Sequence, residues 1–119
     1  MRTEPVMSAT IDTVLTKAKL FRGFADPSRL SIVEALRSGR LSVMEIVDAT
    51  GLTQSNTSNH LACLLDCGLV RREQRGRFVY YELSDPRVSV MLMAAEKLLE
   101  EGAQGVEACA RYAGAENDA

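Results

Sequence analysis

Several features that mark other classes of protein are missing from this sequence of 119 residues. It has one histidine, and its residue spacing suggests no Ser-His-Asp arrangement, no Cys-His arrangement and no glycine-rich phosphate loop, so we do not expect an enzyme. It also lacks an apolar run of about 18 residues and a charged leader followed by an apolar segment. We therefore expect neither membrane insertion nor secretion, and the expected location is the cytoplasm.

Cysteine is scarce, and Cys63, Cys67 and Cys109 are the whole set. Thiols stay reduced in the cytoplasm, so we expect free thiols or metal ligands rather than a disulfide framework. Cys63 and Cys67 are spaced so that, on a helix, their Cβ atoms would lie about 5–6 Å apart on one face. Both sulfurs could then bind one soft metal ion, with Cys109 as the only other thiolate available. The alternatives are a small apolar filler role or a disulfide that would strain the helix.

Positive charge is concentrated in one part of the chain. The net charge is −2, yet residues 53–81 carry 4 basic and 2 acidic side chains, whereas residues 82–119 carry 3 and 8. The basic segment includes a cluster of four arginines, Arg71, Arg72, Arg75 and Arg77. A surface that contacts phosphates requires such a cluster, although a solvated hairpin would also tolerate it.

The N-terminal half carries the start and stop signals of three helices. Apolar residues recur at helical spacing over residues 11–25 and predict a first amphipathic helix. Asp26-Pro27 resembles an N-cap followed by a proline in the first helical position, and predicts the start of a second helix. Ser42-Val43-Met44-Glu45 is a capping box that predicts a short third helix, which should end at Gly51.

The next segment predicts a fourth helix and a hairpin. Thr53 can cap a helix over residues 54–67, whose first two turns are rich in small polar side chains. Strand-like runs at residues 69–73 and 78–83 lie on either side of Gly76 and predict a β-hairpin. Two helices joined by a tight turn and followed at once by a hairpin are typical of a winged helix-turn-helix.

Asp85-Pro86 repeats the cap-and-proline signal and predicts a last helix. We expect residues 8–101 to form one DNA-binding and dimerisation domain, and residues 102–119 to form a flexible C-terminal tail that carries Cys109. The first and last helices have apolar stripes that so small a domain would not bury alone, which favours a homodimer. The fold class is therefore α+β and mainly α, with about five helices and a two-stranded wing.

In this fold the N-terminal residues of the second helix of the motif meet base edges, and wing arginines reach the DNA backbone or minor groove. Small hydrogen-bonding side chains suit the first role. The predicted DNA contacts are accordingly Gln54, Ser55, Thr57, Ser58 and His60 on the fourth helix, with Arg71, Arg72, Arg75 and Arg77 on the wing.

Three motifs resemble the ArsR/SmtB family of metal-responsive repressors, over roughly residues 10–100. They are Ala25-Asp26-Pro27-Ser28-Arg29-Leu30, Leu52-Thr53-Gln54-Ser55-Asn56-Thr57-Ser58-Asn59-His60-Leu61 and Gly76-Arg77-Phe78-Val79-Tyr80-Tyr81. Within the family, residues 58–70 look like the CmtR branch, which senses cadmium and lead.

The resemblance implies a homodimer that binds double-stranded operator DNA and releases it on metal binding. It also implies that Cys63 and Cys67 of one protomer bind the ion together with Cys109 of the partner. Other metal sites of the family need histidines on the last helix or a cysteine pair on the third helix, and this chain has neither.

Three sulfurs without an imidazole favour Cd(II), Pb(II) or As(III) over Zn(II). The resemblance favours Cd(II) or Pb(II) as the effector, with an As(III)-responsive repressor as the first alternative. A second alternative is a thiol redox or persulfide switch, in which Cys109 pairs with Cys63 or Cys67 on oxidation.

Overall fold

The computed structural model describes residues 6–102 and 104–109. Five α-helices and three strands follow one another along this part of the chain, with two short 3-10 turns. The elements are α1 (Val6–Phe24), α2 (Pro27–Ala35), a turn (Leu36–Ser38), β1 (Leu41–Ser42), α3 (Val43–Thr50), α4 (Gln54–Asp66), β2 (Val70–Arg75), β3 (Phe78–Leu83), α5 (Arg87–Glu101) and a turn (Gln104–Val106). This order confirms the predicted winged helix-turn-helix.

The predicted two-stranded hairpin is present as β2 and β3, and a short third strand, β1, extends it into a three-stranded sheet. Its strands lie in the order β1-β3-β2 and are antiparallel, with Leu41 opposite Tyr81 and Ser42 opposite Tyr80. The prediction missed β1 because two residues are too short to show the alternation that marks a strand. Its second residue, Ser42, is also the N-cap of α3, so the cap signal hid the strand.

Local capping chemistry places the helices of the motif where the sequence predicted them. The Arg29 backbone N–H donates to the Asp26 carboxylate at 2.9 Å, and Pro27 opens α2. At α3 the Glu45 N–H donates to the Ser42 hydroxyl at 3.2 Å, and the Ser42 N–H donates to the Glu45 carboxylate at 2.8 Å. Gly51 ends α3 with a φ of 77°, a left-handed conformation that favours glycine.

Two helix starts differ from the prediction. Helix α1 begins at Val6, before the apolar stripe over residues 11–25 that predicted this helix. At α5 the N-cap position is occupied by Pro86, not Asp85. Asp85 still stabilises this end, because its carboxylate accepts hydrogen bonds from the backbone and side chain of Arg87 at 2.8 and 3.0 Å. These contacts lower the pKa of Asp85 to about 2.

The core lies among α2, α3, α4 and the base of the wing. Its completely or almost completely buried side chains come mostly from these elements: Ile32, Val33, Leu36, Ile46, Leu61, Leu64, Leu69, Val70 and Val88. Helix α5 contributes only Val88 to this set. An ion pair also joins α5 to the turn at Leu36–Ser38. The Arg37 guanidinium lies 2.6 Å from the Glu96 carboxylate of α5, and this contact raises the pKa of Arg37.

Large apolar side chains remain exposed on α1 and α5. On α1 they are 55–59% exposed, and on α5 they are 47–59% exposed. The residues are Ile11, Val14, Leu15 and Phe21 on α1, and Val90, Met93, Leu98 and Leu99 on α5. A single chain therefore leaves two apolar helix faces uncovered. None of the helices in the described ranges is long and apolar enough to span a bilayer.

Candidate DNA interface and metal site

Helix α4 presents a polar N-terminal end to solvent. The Thr53 hydroxyl accepts a hydrogen bond from the Asn56 N–H at 3.0 Å and so caps the helix. Gln54, Ser55 and Ser58 are exposed on this end. A base edge can reach these donors and acceptors without any rearrangement of the helix, as the second helix of such a motif requires.

Thr57 does not fit the predicted role as a DNA contact. Its side chain is completely buried, and its hydroxyl has no hydrogen-bond partner among the residues that the structure describes. The position precedes Leu61 and Leu64 at helical spacing, so it lies on the face of α4 that packs into the core. Residue type suggested a surface role, but helical periodicity places Thr57 inside.

His60 is only partly available to DNA. Its side chain is 26% exposed, and its Nε2 lies 3.9 Å from Oδ2 of Asp26, the N-cap of α2. The imidazole therefore lies between α4 and the N-terminus of α2, and only part of it is at the surface. Its predicted contact with a base stays a prediction.

The four wing arginines divide into two pairs. Arg71 contacts Glu82 at 2.8 Å, and Arg75 contacts Glu73 at 3.2 Å. Arg72 and Arg77 are exposed and have no ion-pair partner within the described ranges. Arg72 and Arg77 can therefore neutralise phosphates without first breaking an ion pair with a carboxylate.

The sequence analysis missed one cation beside the wing. Arg40 lies 3.4 Å from the Glu73 carboxylate and 5.7 Å from the ring centre of Tyr80, an arrangement that allows a cation–π contact. Arg40 immediately precedes β1, so the signal that could have identified it is the strand that the sequence did not reveal.

Cys63 and Cys67 lie at the C-terminal end of α4, on one face. Both are free thiols; Cys63 is half-buried, and Cys67 is exposed in the C-cap position. Partial burial of its sulfur, followed by the charge and thiol of Cys63, raises the pKa of Cys67. The Cys67 backbone N–H donates to the Cys63 carbonyl at 3.0 Å, so the two residues lie one helical turn apart on the same face. This spacing allows both sulfurs to bind one soft metal ion.

Arg29 connects the cysteine end of α4 with the end of α1. Its guanidinium donates to the backbone carbonyls of Gly23 and Arg22 at 2.9 and 3.1 Å. The same positive charge favours the Cys67 thiolate, although it does not outweigh the causes that raise the Cys67 pKa. A change of charge at Cys67 therefore acts on the residue that stabilises the C-terminus of α1.

Cys109 is half-buried after the last 3-10 turn, and its backbone N–H donates to the Val106 carbonyl at 3.2 Å. Across residues 6–102 and 104–109, no group of three or more histidine, cysteine or acidic side chains lies close enough to bind one ion. One protomer in this conformation therefore does not bring Cys109 to Cys63 and Cys67. The predicted tail beyond residue 109 lies outside the described residues.

Comparison with known proteins places this geometry in a family. Residues 26–72 match the pattern of the bacterial regulatory protein, arsR family. A probable mercury resistance operon repressor from Streptomyces lividans is 36% identical over 99 residues, which cover 83% of this chain and 79% of that protein. The chain belongs to the ArsR family of bacterial regulatory proteins. Its relatives are regulators, in agreement with the expectation that this ArsR-family chain is not an enzyme.

Two further relatives match over shorter segments. The regulator CmtR from Mycobacterium tuberculosis is 44% identical over 72 residues, but the match covers only 60% of this chain and 61% of CmtR. An arsenical resistance operon repressor from Bacillus subtilis is 37% identical over 73 residues, covering 60% of this chain and 70% of that repressor.

A solved structure agrees with the fold. The homodimeric winged helix-turn-helix DNA-binding domain of Mb0332 from Mycobacterium bovis has a TM-score of 0.68 and is 25% identical. The similarity covers 87% of this chain and 93% of that domain.

Proposed function

We propose that this ArsR-family protein is a homodimeric transcriptional repressor that binds operator DNA while its cysteines are free of metal. A soft heavy-metal ion, with Cd(II) or Pb(II) favoured, binds Cys63, Cys67 and the partner's Cys109 and releases the DNA. Such a protein acts on chromosomal or plasmid DNA, so the cytoplasm is its proposed location.

The DNA-binding part of the proposal is supported by two adjacent surfaces. The polar end of α4 offers Gln54, Ser55 and Ser58 for base contacts, and the wing offers Arg72 and Arg77 for phosphates. Base contacts supply sequence discrimination, whereas the arginines supply affinity that decreases with salt.

The dimer is supported by the apolar faces of α1 and α5. Exposed contiguous apolar surface on a small domain commonly marks an interface, and these two faces remain open in a single chain. The homodimeric state of the Mb0332 domain, which has the same fold, is consistent with this assignment. Two recognition helices related by a two-fold axis would read a palindrome with half-sites about one helical turn apart.

The observation that carries the metal assignment is that Cys63 and Cys67 lie one turn apart on the same face at the C-terminal end of α4. Thiolates favour soft or borderline ions, and three thiolates are one ligand short of the four that a structural zinc site uses. The similarity to CmtR supports Cd(II) or Pb(II). Two relatives are named as repressors of mercury and arsenical resistance operons, so Hg(II) and As(III) are further effectors to test against Cd(II) and Pb(II).

One helix connects the two sites. Helix α4 has 13 residues and is about 20 Å long, so residues 54–58 at its base-reading end lie roughly 8–20 Å from the thiols at positions 63 and 67 on one rigid element. Metal binding reduces DNA affinity only if the ion binds the weak-binding conformation more tightly, and such couplings are typically about 1–3 kcal/mol. A bond from the partner's tail to α4 would restrain the helix relative to the dimer and so favour one conformation.

A Cd(II) titration of the reduced protein tests the thiol assignment. We expect an ultraviolet thiolate-to-metal absorption band that saturates at one ion per protomer. Cys63→Ser and Cys67→Ser should each abolish tight binding, because the remaining helix thiolate could chelate the ion only together with Cys109, at the entropic cost of ordering the tail. Unchanged affinity in both variants would show that the ion binds elsewhere.

Cys109→Ser separates affinity from signalling. Ordering the tail costs conformational entropy that offsets part of the third bond, so this variant should still bind Cd(II), though more weakly. It should release operator DNA poorly when metal is added. A Cys109→Ser protein that releases DNA as completely as the parent would show that the tail does not transmit the signal.

A further inference from the structure

A cleft lies between α1 and the residues that join α4 to the wing, and Cys67 is one of the residues that line it. The cleft has a volume of about 390 Å³. Its other lining residues are Thr16, Lys19, Leu20, Gly23 and Leu69. The four residues of this set that belong to α1, Thr16, Lys19, Leu20 and Gly23, lie on one face of the helix. Glycine at position 23 leaves room for the cleft, because an added Cβ would lie 3.4 Å from the Leu69 side chain.

This cleft is separate from the apolar face of α1 that the proposed dimer would cover. At about 100° per residue, the cleft-lining face points roughly 155° away from the face formed by Ile11, Val14, Leu15 and Phe21. Dimerisation through the apolar face therefore does not require the cleft to close.

The chemistry of the wall combines one thiol with apolar surface. Cys67 supplies a soft ligand, Leu20 and Leu69 supply apolar contact, and Thr16 and Lys19 supply the polar part. A bare ion bound between Cys63 and Cys67 would leave this space empty. A ligand suited to it needs only one thiolate and carries an apolar group next to the metal.

We propose that the cleft binds an organomercury cation, with mercury on the Cys67 sulfur and the organic group against Leu20 and Leu69. Such cations bind one thiolate in a linear arrangement with the carbon. In the reaction the mercury–sulfur bond forms, the thiol proton goes to solvent and the halide or hydroxide on mercury leaves, so no oxidant or reductant is needed. The inference rests on the proposed function only in that both use Cys67.

The cleft is large enough for an aryl group. An apolar cavity of roughly 150 Å³ holds a benzene molecule, so a phenyl ring fits within the volume beside Cys67. A methyl group on mercury would leave most of the apolar wall uncovered. The cleft should therefore distinguish phenylmercury from methylmercury, which differ mainly in the size of the organic group.

Competition against a free small thiol measures this preference. The test protein has Cys67 as its only thiol, through Cys63→Ser and Cys109→Ser, and the matched control has Cys63 as its only thiol. Each is equilibrated with phenylmercury or methylmercury in the presence of N-acetylcysteine, and the bound fraction is read by intact-protein mass spectrometry. Both mercurials also bind N-acetylcysteine. The ratio of protein-bound to N-acetylcysteine-bound mercurial therefore cancels the difference between their intrinsic affinities for a thiolate.

We expect the Cys67 protein to prefer phenylmercury about tenfold relative to the free thiol, the factor that burial of roughly 60 Å² more apolar surface gives. The Cys63 protein should show no such preference. Thr16→Trp fills the cleft and should reduce the ratio toward one, whereas Lys17→Trp, on another face of α1, should leave it unchanged.

Equal preferences in the Cys67 and Cys63 proteins would overturn the proposal, and this comparison needs no cleft-filling variant to fold. A ratio that Thr16→Trp does not reduce, in a protein with unchanged far-ultraviolet circular dichroism, would also overturn it. Neither result affects Cd(II)-dependent release of operator DNA, which needs the full cysteine set. Conversely, a protein that ignores Cd(II) but shows the preference would contradict the proposed function and leave the cleft site intact.

Discussion

Replacement of Thr57 by valine should stabilise the domain without changing operator recognition. The Thr57 hydroxyl is completely buried and has no partner within the described residues, so it contributes a desolvation cost without a compensating hydrogen bond. Mutational data place that cost at about 1–3 kcal/mol. Valine keeps the branched shape and a similar helix propensity, so we expect Thr57→Val to gain about 1–2 kcal/mol.

Urea unfolding followed by circular dichroism measures this gain, at one fixed protein concentration because a dimer's stability depends on concentration. Thr57→Ser is the matched control: it keeps the hydroxyl and loses the buried methyl, so it should be destabilised. Operator affinity of Thr57→Val should equal that of the parent because the side chain is not at the surface. Destabilisation by more than about 1 kcal/mol, or a loss of operator discrimination, would refute the reasoning.

Arg77→Ala should weaken binding to all DNA sequences and lower the slope of log affinity against log salt concentration by about 1. Arg71→Ala should have a smaller effect, because Arg71 already contacts Glu82. Fluorescence anisotropy at several salt concentrations compares the two variants. Cd(II) affinity, measured by chelator competition, should increase from about pH 6 to pH 8, because the raised pKa of Cys67 keeps a proton that the metal must displace. An affinity independent of pH would argue against thiol ligands. Phe21→Glu combined with Leu98→Glu should give monomers in sedimentation experiments with the helical content retained, and an intact dimer would exclude these faces as the interface.

Sequence predicted the fold well where the signal is local. The capping box at Ser42 and Glu45, the cap and proline at Asp26 and Pro27, and the left-handed glycine at position 51 depend on residues a few positions apart. Each satisfies backbone groups that no other part of the chain needs to provide, so the local pattern was sufficient.

The features that were not predicted correctly are those that depend on tertiary contacts. Strand β1 is formed by pairing with Tyr80 and Tyr81, almost 40 residues away, and has no pattern of its own. Thr57 is polar by type but buried by helix orientation, so a prediction based on polarity placed it in the wrong set. The ion pair that occupies Arg71 likewise depends on the register of β2 against β3, which places Glu82 opposite Arg71. The partner of Arg75, Glu73, lies two residues earlier on the same strand.

The metal site stays a prediction. The structure places Cys63 and Cys67 on one face of α4, as their spacing implies. Within the described residues Cys109 does not lie close enough to bind an ion together with them. The cleft beside Cys67 also escaped the sequence analysis because its two walls come from α1 and from the residues that join α4 to β2.

Operator affinity with and without saturating Cd(II), in reductant, tests the central claim most directly. Fluorescence anisotropy on the full chain gives both dissociation constants, and Cys67→Ser is the variant that removes the helix chelate. The account predicts that Cd(II) weakens operator binding of the parent by roughly 5–150-fold, the range of typical allosteric couplings, and leaves Cys67→Ser unchanged. A parent protein that binds its operator equally well in the presence of Cd(II), Pb(II), Hg(II) and As(III), or a Cys67→Ser variant that releases it as completely, would contradict the account.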